Sequence, residues 1–167
     1  MLGTIIWVLY YLTSAFQFAF IGYGFVVLAG FINIALLIRI FIEIITSKEY
    51  RNKLLKTCAL MLLNIPVAIF YCWFAIALTG VMRITFVNST QTTLTDINIV
   101  GCETKHIDRI EIGESETVWV GITGDCTINI DYLSNGQRKE ENVAGYVTGG
   151  MGQKMKHNIG GKNNNIL

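Results

Sequence analysis

The sequence predicts a membrane α-helical region of about three transmembrane helices, followed by a C-terminal all-β antiparallel sandwich. Three observations carry this. Charge is scarce before Arg83, where only Arg39, Glu43, Lys48, Glu49, Arg51, Lys53 and Lys56 are ionisable as formal charges. From Leu2 to Thr46 the chain is almost continuously apolar, interrupted by Arg39 and Glu43 alone. From Arg83 onward the pattern changes to alternation, the mark of half-buried strands.

The whole chain of 167 residues is 52% hydrophobic and 15% charged, against about a quarter charged in an ordinary soluble domain. The first half is net +3 and the second net −2, which sums to the overall +1. Such a near-neutral balance gives no support for nucleic-acid binding, which needs a clustered basic face.

The apolar run Leu2–Thr46 would be roughly 67 Å long as one helix, at about 1.5 Å per residue. A bilayer core is about 30 Å thick and takes about 20 residues. The expected break is Ile21-Gly22-Tyr23-Gly24, where two glycines flank an aromatic suited to an interface. This gives spans at about 3–21 and 25–46, with one long tilted helix as the alternative. The polar stretch 47–56 (SKEYRNKLLK) follows, and a third apolar run covers about 57–82, with Pro66 as a packing kink. The apolar amino terminus lacks a basic n-region and exceeds an h-region in length, so it is expected to stay on the chain.

Lys and Arg accumulate on the cytoplasmic side of short loops, which puts 47–56 inside. The domain 83–159 then lies outside, whether the chain has two spans or three. The implied location is a bacterial inner membrane, multi-pass, with the C-terminal domain periplasmic or extracellular. The polar residues within the spans are Gln17, Asn33, Arg39, Glu43 and Asn64. Arg39 and Glu43 are four apart and can pair on one helix face or snorkel, while the amides suit contacts between helices.

In the second half, expected strands cover 83–88, 95–101, 106–112, 116–122, 126–133, 137–148 and 151–159. Ile107 falls opposite in phase to Ile110 and Ile112, so a bulge or turn must interrupt the third. Val118 and Val120 face one way and Trp119 the other. Ser134-Asn135-Gly136 is a hairpin turn, since Asn-Gly is a strong signal for one. Thr148-Gly149-Gly150 is read as a second hairpin turn. Seven short strands without a helix suggest an antiparallel sandwich. The tail 160–167 (GGKNNNIL) has little to bury and is expected to be mobile.

The Asn88-Ser89-Thr90 turn, the strand after it, and Ile-Gly-Glu-Ser (112–115) ahead of Thr-Val-Trp-Val (117–120) together resemble bacterial immunoglobulin-like modules. The resemblance covers about 40 residues. It implies an immunoglobulin-like fold class and brings no functional residues with it.

Cys102 and Cys126 stand 24 positions apart, each at a strand end. In an extracytoplasmic domain they are a disulfide candidate, worth about 3 kcal/mol on the chain-entropy view; in a cytoplasmic one they would be buried thiols. Cys58 and Cys72 lie in the third apolar run as packing residues. Cys102, Cys126, His106 and His157 lack the spacing of a metal site, so no metal and no cofactor is expected.

The chain contains no nucleophile elbow, metalloprotease helix, P-loop or dinucleotide fingerprint, so it is not expected to be an enzyme. Asp108, Glu111, Glu114 and Glu116 form an acidic segment that offers a docking surface to a basic partner. The leading expectation is a non-catalytic multi-pass protein whose outer domain binds a protein. Its size and layout resemble some bacterial immunity proteins, which implies a secreted toxin as partner. The alternative is an accessory subunit of a membrane transporter or channel complex. Membrane lipid is a partner in either case, and an oligomer is compatible with both.

Overall fold

The computed structural model describes residues 2–46 and 51–162. Four residues of the basic stretch 47–56 (47–50) and the last five of the expected tail (163–167) lie outside the described residues. The chain divides into two compact units, Met1–Ala75 and Ile76–Leu167.

The first unit is helical: α1 is Leu2–Thr13, α2 Phe16–Thr46, and α3 begins at Arg51 and runs to Thr79. Three helices were expected, but the break between the first two is elsewhere. It lies at Ser14, where φ is +55° and the Ser14 N–H still donates to Tyr10 O at 2.8 Å. Gly22 and Gly24 sit inside α2. Glycine lowers helix propensity by only about 1 kcal/mol, too little to break an apolar helix whose backbone groups have no better partners. Gly22 instead serves packing, because a Cβ there would lie 3.3 Å from Ile6 Cγ2 of α1.

With 12 residues, α1 is about 18 Å long, short of a bilayer core. By length and composition, α2 and α3 are long and apolar enough to cross a membrane, so among the described residues two helices meet that test and not three. Both are apolar all round, and α2 buries no residue. Phe31, Phe41, Ile45, Leu60, Ile69 and Trp73 are each more than three-fifths exposed. Helix α3 continues through Pro66. An aromatic cluster joins α1 to α3: Trp7 lies 5.6 Å from Tyr71 and 5.2 Å from Phe74, ring centre to ring centre.

The second unit holds the seven strands, β1 Val81–Asn88, β2 Leu94–Val100, β3 Lys105–Ile110, β4 Ser115–Gly121, β5 Cys126–Ser134, β6 Gln137–Val147 and β7 Lys154–Ile159. They form a three-stranded sheet in the order β4-β1-β7 and a four-stranded sheet in the order β3-β2-β5-β6. Alternation does the work that was expected of it. Ile84 and Phe86 of the first sheet and Ile97, Ile99, Ile128 and Ile130 of the second are fully buried in one shared core. Each such side chain stabilises by about 1.5–3 kcal/mol relative to exposure.

Two expectations are corrected. The unit is not wholly antiparallel, because β7 pairs parallel with β1. Thr148-Gly149-Gly150 does turn, with Met151 N–H donating to Thr148 O at 3.1 Å, but it is not a hairpin, since the chain passes there from one sheet to the other. By contrast Asn135 and Gly136, at φ +53° and +73°, close the β5–β6 hairpin with Ser134 opposite Gln137. Two consecutive positive φ values are what a type I′ turn requires.

The irregularity expected near Ile107 is a bulge on the neighbouring strand. Asp96 has φ +49°, and the pairing of β2 with β5 slips by one residue between Thr95 and Asn98. The slip lets Leu94 and Ile97, three apart, both point inward against Ile110 and Ile107. Strand β3 ends at Ile110, and Ile112 belongs to the following turn with its side chain out.

The last turn of α3 is part of this unit. Leu78 is buried, Gly152 N–H donates to Thr79 O at 2.7 Å, and Ile122 N–H donates to Gly80 O at 2.8 Å. The Gly152 N–H therefore caps a carbonyl of the last helical turn that has no partner within the helix.

Candidate functional site

The polar residues expected within the spans are all helical. Gln17, Asn33, Arg39 and Glu43 lie on α2 and Asn64 on α3. Among the described residues, no ion pair joins Arg39 to Glu43. Among the described residues the Asn33 side-chain oxygen, shielded from solvent, accepts no hydrogen bond, and the Trp7 indole N–H is likewise shielded and without an acceptor. An open groove lined by Leu37, Ile38, Phe41, Ile42, Cys58 and Leu62 is apolar throughout, as suits acyl chains and offers nothing for polar chemistry.

The outer face of the four-stranded sheet carries a polar network centred on the bulge. Arg138 reaches Asp96 at 3.1 Å and Asp131 at 3.0 Å, and Asn98 donates to the same Asp131 oxygen at 2.9 Å. His106 Nδ1 lies 2.8 Å from Asn98 Oδ1, and His106 Nε2 lies 3.1 Å from Asp108. Hydrogen bonds from Arg138 and then Asn98 hold the Asp131 carboxyl below the usual carboxylate range. Lys105 and the Gly121 N–H do the same for Glu103. These bonds contribute above that range and are lost as pH falls through the lowered values. The groups are solvated, so their worth is modest.

Between the two sheets sits a second network, centred on Glu141. Its Oε1 accepts the Tyr132 hydroxyl at 2.5 Å and the Gly160 N–H at 2.9 Å. Its Oε2 lies 3.1 Å from Nε2 of His157, a ring 1% exposed whose Nδ1 is buried without a partner among the described residues. Burial, then the adjacent Glu141 carboxylate, pushes the Tyr132 hydroxyl well above the ordinary tyrosine value. The sequence hinted at this in the phase of Met155, His157 and Ile159, which share one side of β7. No rule of spacing links Glu141 to His157, so the network was not read.

The four acidic residues expected to form a partner surface are brought to one end of the molecule's second unit, around the β3–β4 connection. Asp108 is on β3 and contacts His106. Glu111 pairs with Arg109 and accepts from Thr93 Oγ1 at 2.7 Å. Glu114 accepts the Glu111 N–H at 3.2 Å, closing the turn, and Glu116 is exposed on β4. Part of the segment is thus spent on local structure.

Cys102 and Cys126 stand with their sulfurs at bonding distance, 1.97 Å, and their Cα atoms 5.3 Å apart. His106 lies on an outer face and His157 between the sheets, so the two histidines do not share a face. Among the described residues no group of three His, Cys, Asp or Glu is placed to hold a metal ion. Asn88, which begins the Asn-Ser-Thr sequence, is 1% exposed and donates to Thr92 O at 2.8 Å and Ile110 O at 3.0 Å. Its amide is committed to holding β1 against the other sheet.

No known protein-family model matches the chain, and no curated protein is found similar to it. Among solved structures, the NMR structure of a protein from Eubacterium rectale is similar over 46% of this chain and 74% of that one. The identity is 11% and the TM-score 0.37.

Proposed function

We propose that this chain is a non-catalytic protein of a bacterial inner membrane. Its helical unit anchors it, and its seven-stranded unit is presented on the extracytoplasmic side to bind a protein partner, a secreted toxin in the immunity reading. The observation that carries the proposal is the surface of α2 and α3. Large apolar side chains cover every side of both helices and stay exposed in the chain, at a cost in water that only lipid or other apolar helices would remove.

The β unit encloses a core of its own, which suits a module that displays loops and edges. We read it as immunoglobulin-like in the broad sense, with four strands and three strands on one core. The connectivity differs from that of the constant-type domain, whose three-stranded sheet takes the third, sixth and seventh strands. Here it takes β1, β4 and β7. The basic residues Arg51, Lys53 and Lys56 at the start of α3 support the orientation, and Cys102 and Cys126 at bonding distance suit an oxidising compartment.

The test is labelling of intact cells with a membrane-impermeant maleimide, with and without reduction. Labelling of Cys102 and Cys126 only after reduction supports an outer, oxidised β unit. Labelling that appears only on lysis places the unit in the cytoplasm and ends the immunity reading. A pull-down with the full chain that retains no protein from the extracytoplasmic fraction removes the binding role.

A further inference from the structure

We infer that the open edge of β4 is where a partner docks, and that the docking element is an extended segment carrying basic side chains. This rests on the binding role proposed above and names the surface and the partner's chemistry.

Strand β4 is an edge of the three-stranded sheet, and its backbone phase can be read from its neighbours. Asn88 N–H donates to Glu114 O and Ile122 N–H to Gly80 O, so the even positions of β4 bond to β1. The odd positions, Ser115, Thr117 and Trp119, then aim their N–H and C=O groups away from the sheet. Gly121 agrees, because its N–H is taken by the Glu103 carboxylate at 2.8 Å, on the side away from β1. That bond closes one end of the edge and leaves 115–119 open. Ser115, Glu116, Thr117 and Trp119 are exposed.

The other three edges carry the charges by which sheets avoid unwanted pairing. Strand β3 has Lys105, His106, Asp108 and Arg109; β6 has Arg138, Lys139, Glu140 and Glu141; β7 has Lys154 and Lys156. Strand β4 has one charge, Glu116. Its outward side chains are fixed: Thr117 Oγ1 lies 2.8 Å from Thr85 Oγ1, and the Trp119 ring lies 5.9 Å from the Arg83 guanidinium. The edge, with a single charge at Glu116, is thus an ordered template for strand addition.

Charge chooses the occupant. Glu111, Glu114 and Glu116 lie at the open end of β4, and Arg109 is committed to Glu111. An added strand lays its side chains beside these carboxylates, so basic residues there are favoured and acidic ones repelled.

The experiment uses the full chain in neutral-lipid nanodiscs and two fluorescein-labelled peptides, one alternating lysine with valine and one alternating glutamate with valine. The lysine peptide should bind at least about tenfold tighter in anisotropy, and should slow amide exchange at Thr117 and Trp119. Thr117→Pro removes an outward N–H, which an edge strand tolerates, together with the hydroxyl, and should weaken binding about tenfold. Thr117→Val, which keeps the N–H and loses the hydroxyl, should bind as the parent does. Equal binding of both peptides, protection at another edge, or indifference to Thr117→Pro overturns the inference. Protection that rises with protein concentration alone would mean that a second copy takes the edge, which overturns it equally. A partner retained in the pull-down yet unaffected by Thr117→Pro would leave the binding role standing and remove only this surface.

Discussion

Glu141 and His157 join the two sheets: the imidazole Nε2 of β7 lies 3.1 Å from the carboxylate Oε2 of β6, and His157 is fully enclosed. Removing one partner of such a pair strands the other in the interior. Glu141→Ala should therefore destabilise the β unit by about 2–4 kcal/mol, since three donors lose one acceptor. Glu141→Gln, which keeps an acceptor, should cost less. Hydrogen exchange of β6, β7 and Gly160 in the full chain checks this. Unchanged protection in Glu141→Ala would show the network to be incidental.

The Tyr132 hydroxyl gives a pH signature. Its value in the folded chain is raised, by burial and then by Glu141, so the folded state holds the proton longer than the unfolded one. The contribution is complete below the unfolded tyrosine value of about 10 and is lost as pH rises beyond it. The unfolding midpoint of the parent should fall above about pH 10, and Tyr132→Phe should show a shallower fall. At neutral pH Tyr132→Phe should be less stable by about 1.5–3 kcal/mol, the range for a hydrogen bond to a charged group. Parallel pH profiles would remove Tyr132 as the cause.

Two glycines are sites where any side chain collides with backbone. A Cβ at Gly152 would stand 2.4 Å from Leu78 O, and one at Gly101 would stand 1.7 Å from Thr127 O, at φ +115°. Gly101→Ala and Gly152→Ala should each cost more than about 2 kcal/mol, beyond the usual single substitution. Gly149→Ala, where nothing lies within 4 Å, is the neutral comparison. Thermal melts of the three variants in one detergent decide it, and equal melting points would refute the close approach.

How much was legible follows the range of the forces. The seven strands were readable because burial of one face imposes a period of two, and Ile97, Ile99, Val118 and Val120 keep that period locally. The Asn135-Gly136 turn was readable because its positive φ values depend on those two residues alone. The helix break was misread because glycine is a weak signal, and the turn at Ser14 depends on bonds to Tyr10 and on how α1 packs against α2 and α3. The acidic segment was visible in composition, but its internal use by Thr93, Arg109 and the turn at Glu114 was not.

By itself, then, the sequence determined the two classes of element, the apolar character of the long helices, and which face of each strand turns inward. These are set by hydrophobicity at neighbouring positions. Only the tertiary structure decided that β7 returns parallel beside β1, that Glu141, Tyr132 and His157 meet, and that β4 is left as an open edge. Those depend on which strands become neighbours across long loops, and on the closure of one core between two sheets. No local pattern encodes that pairing.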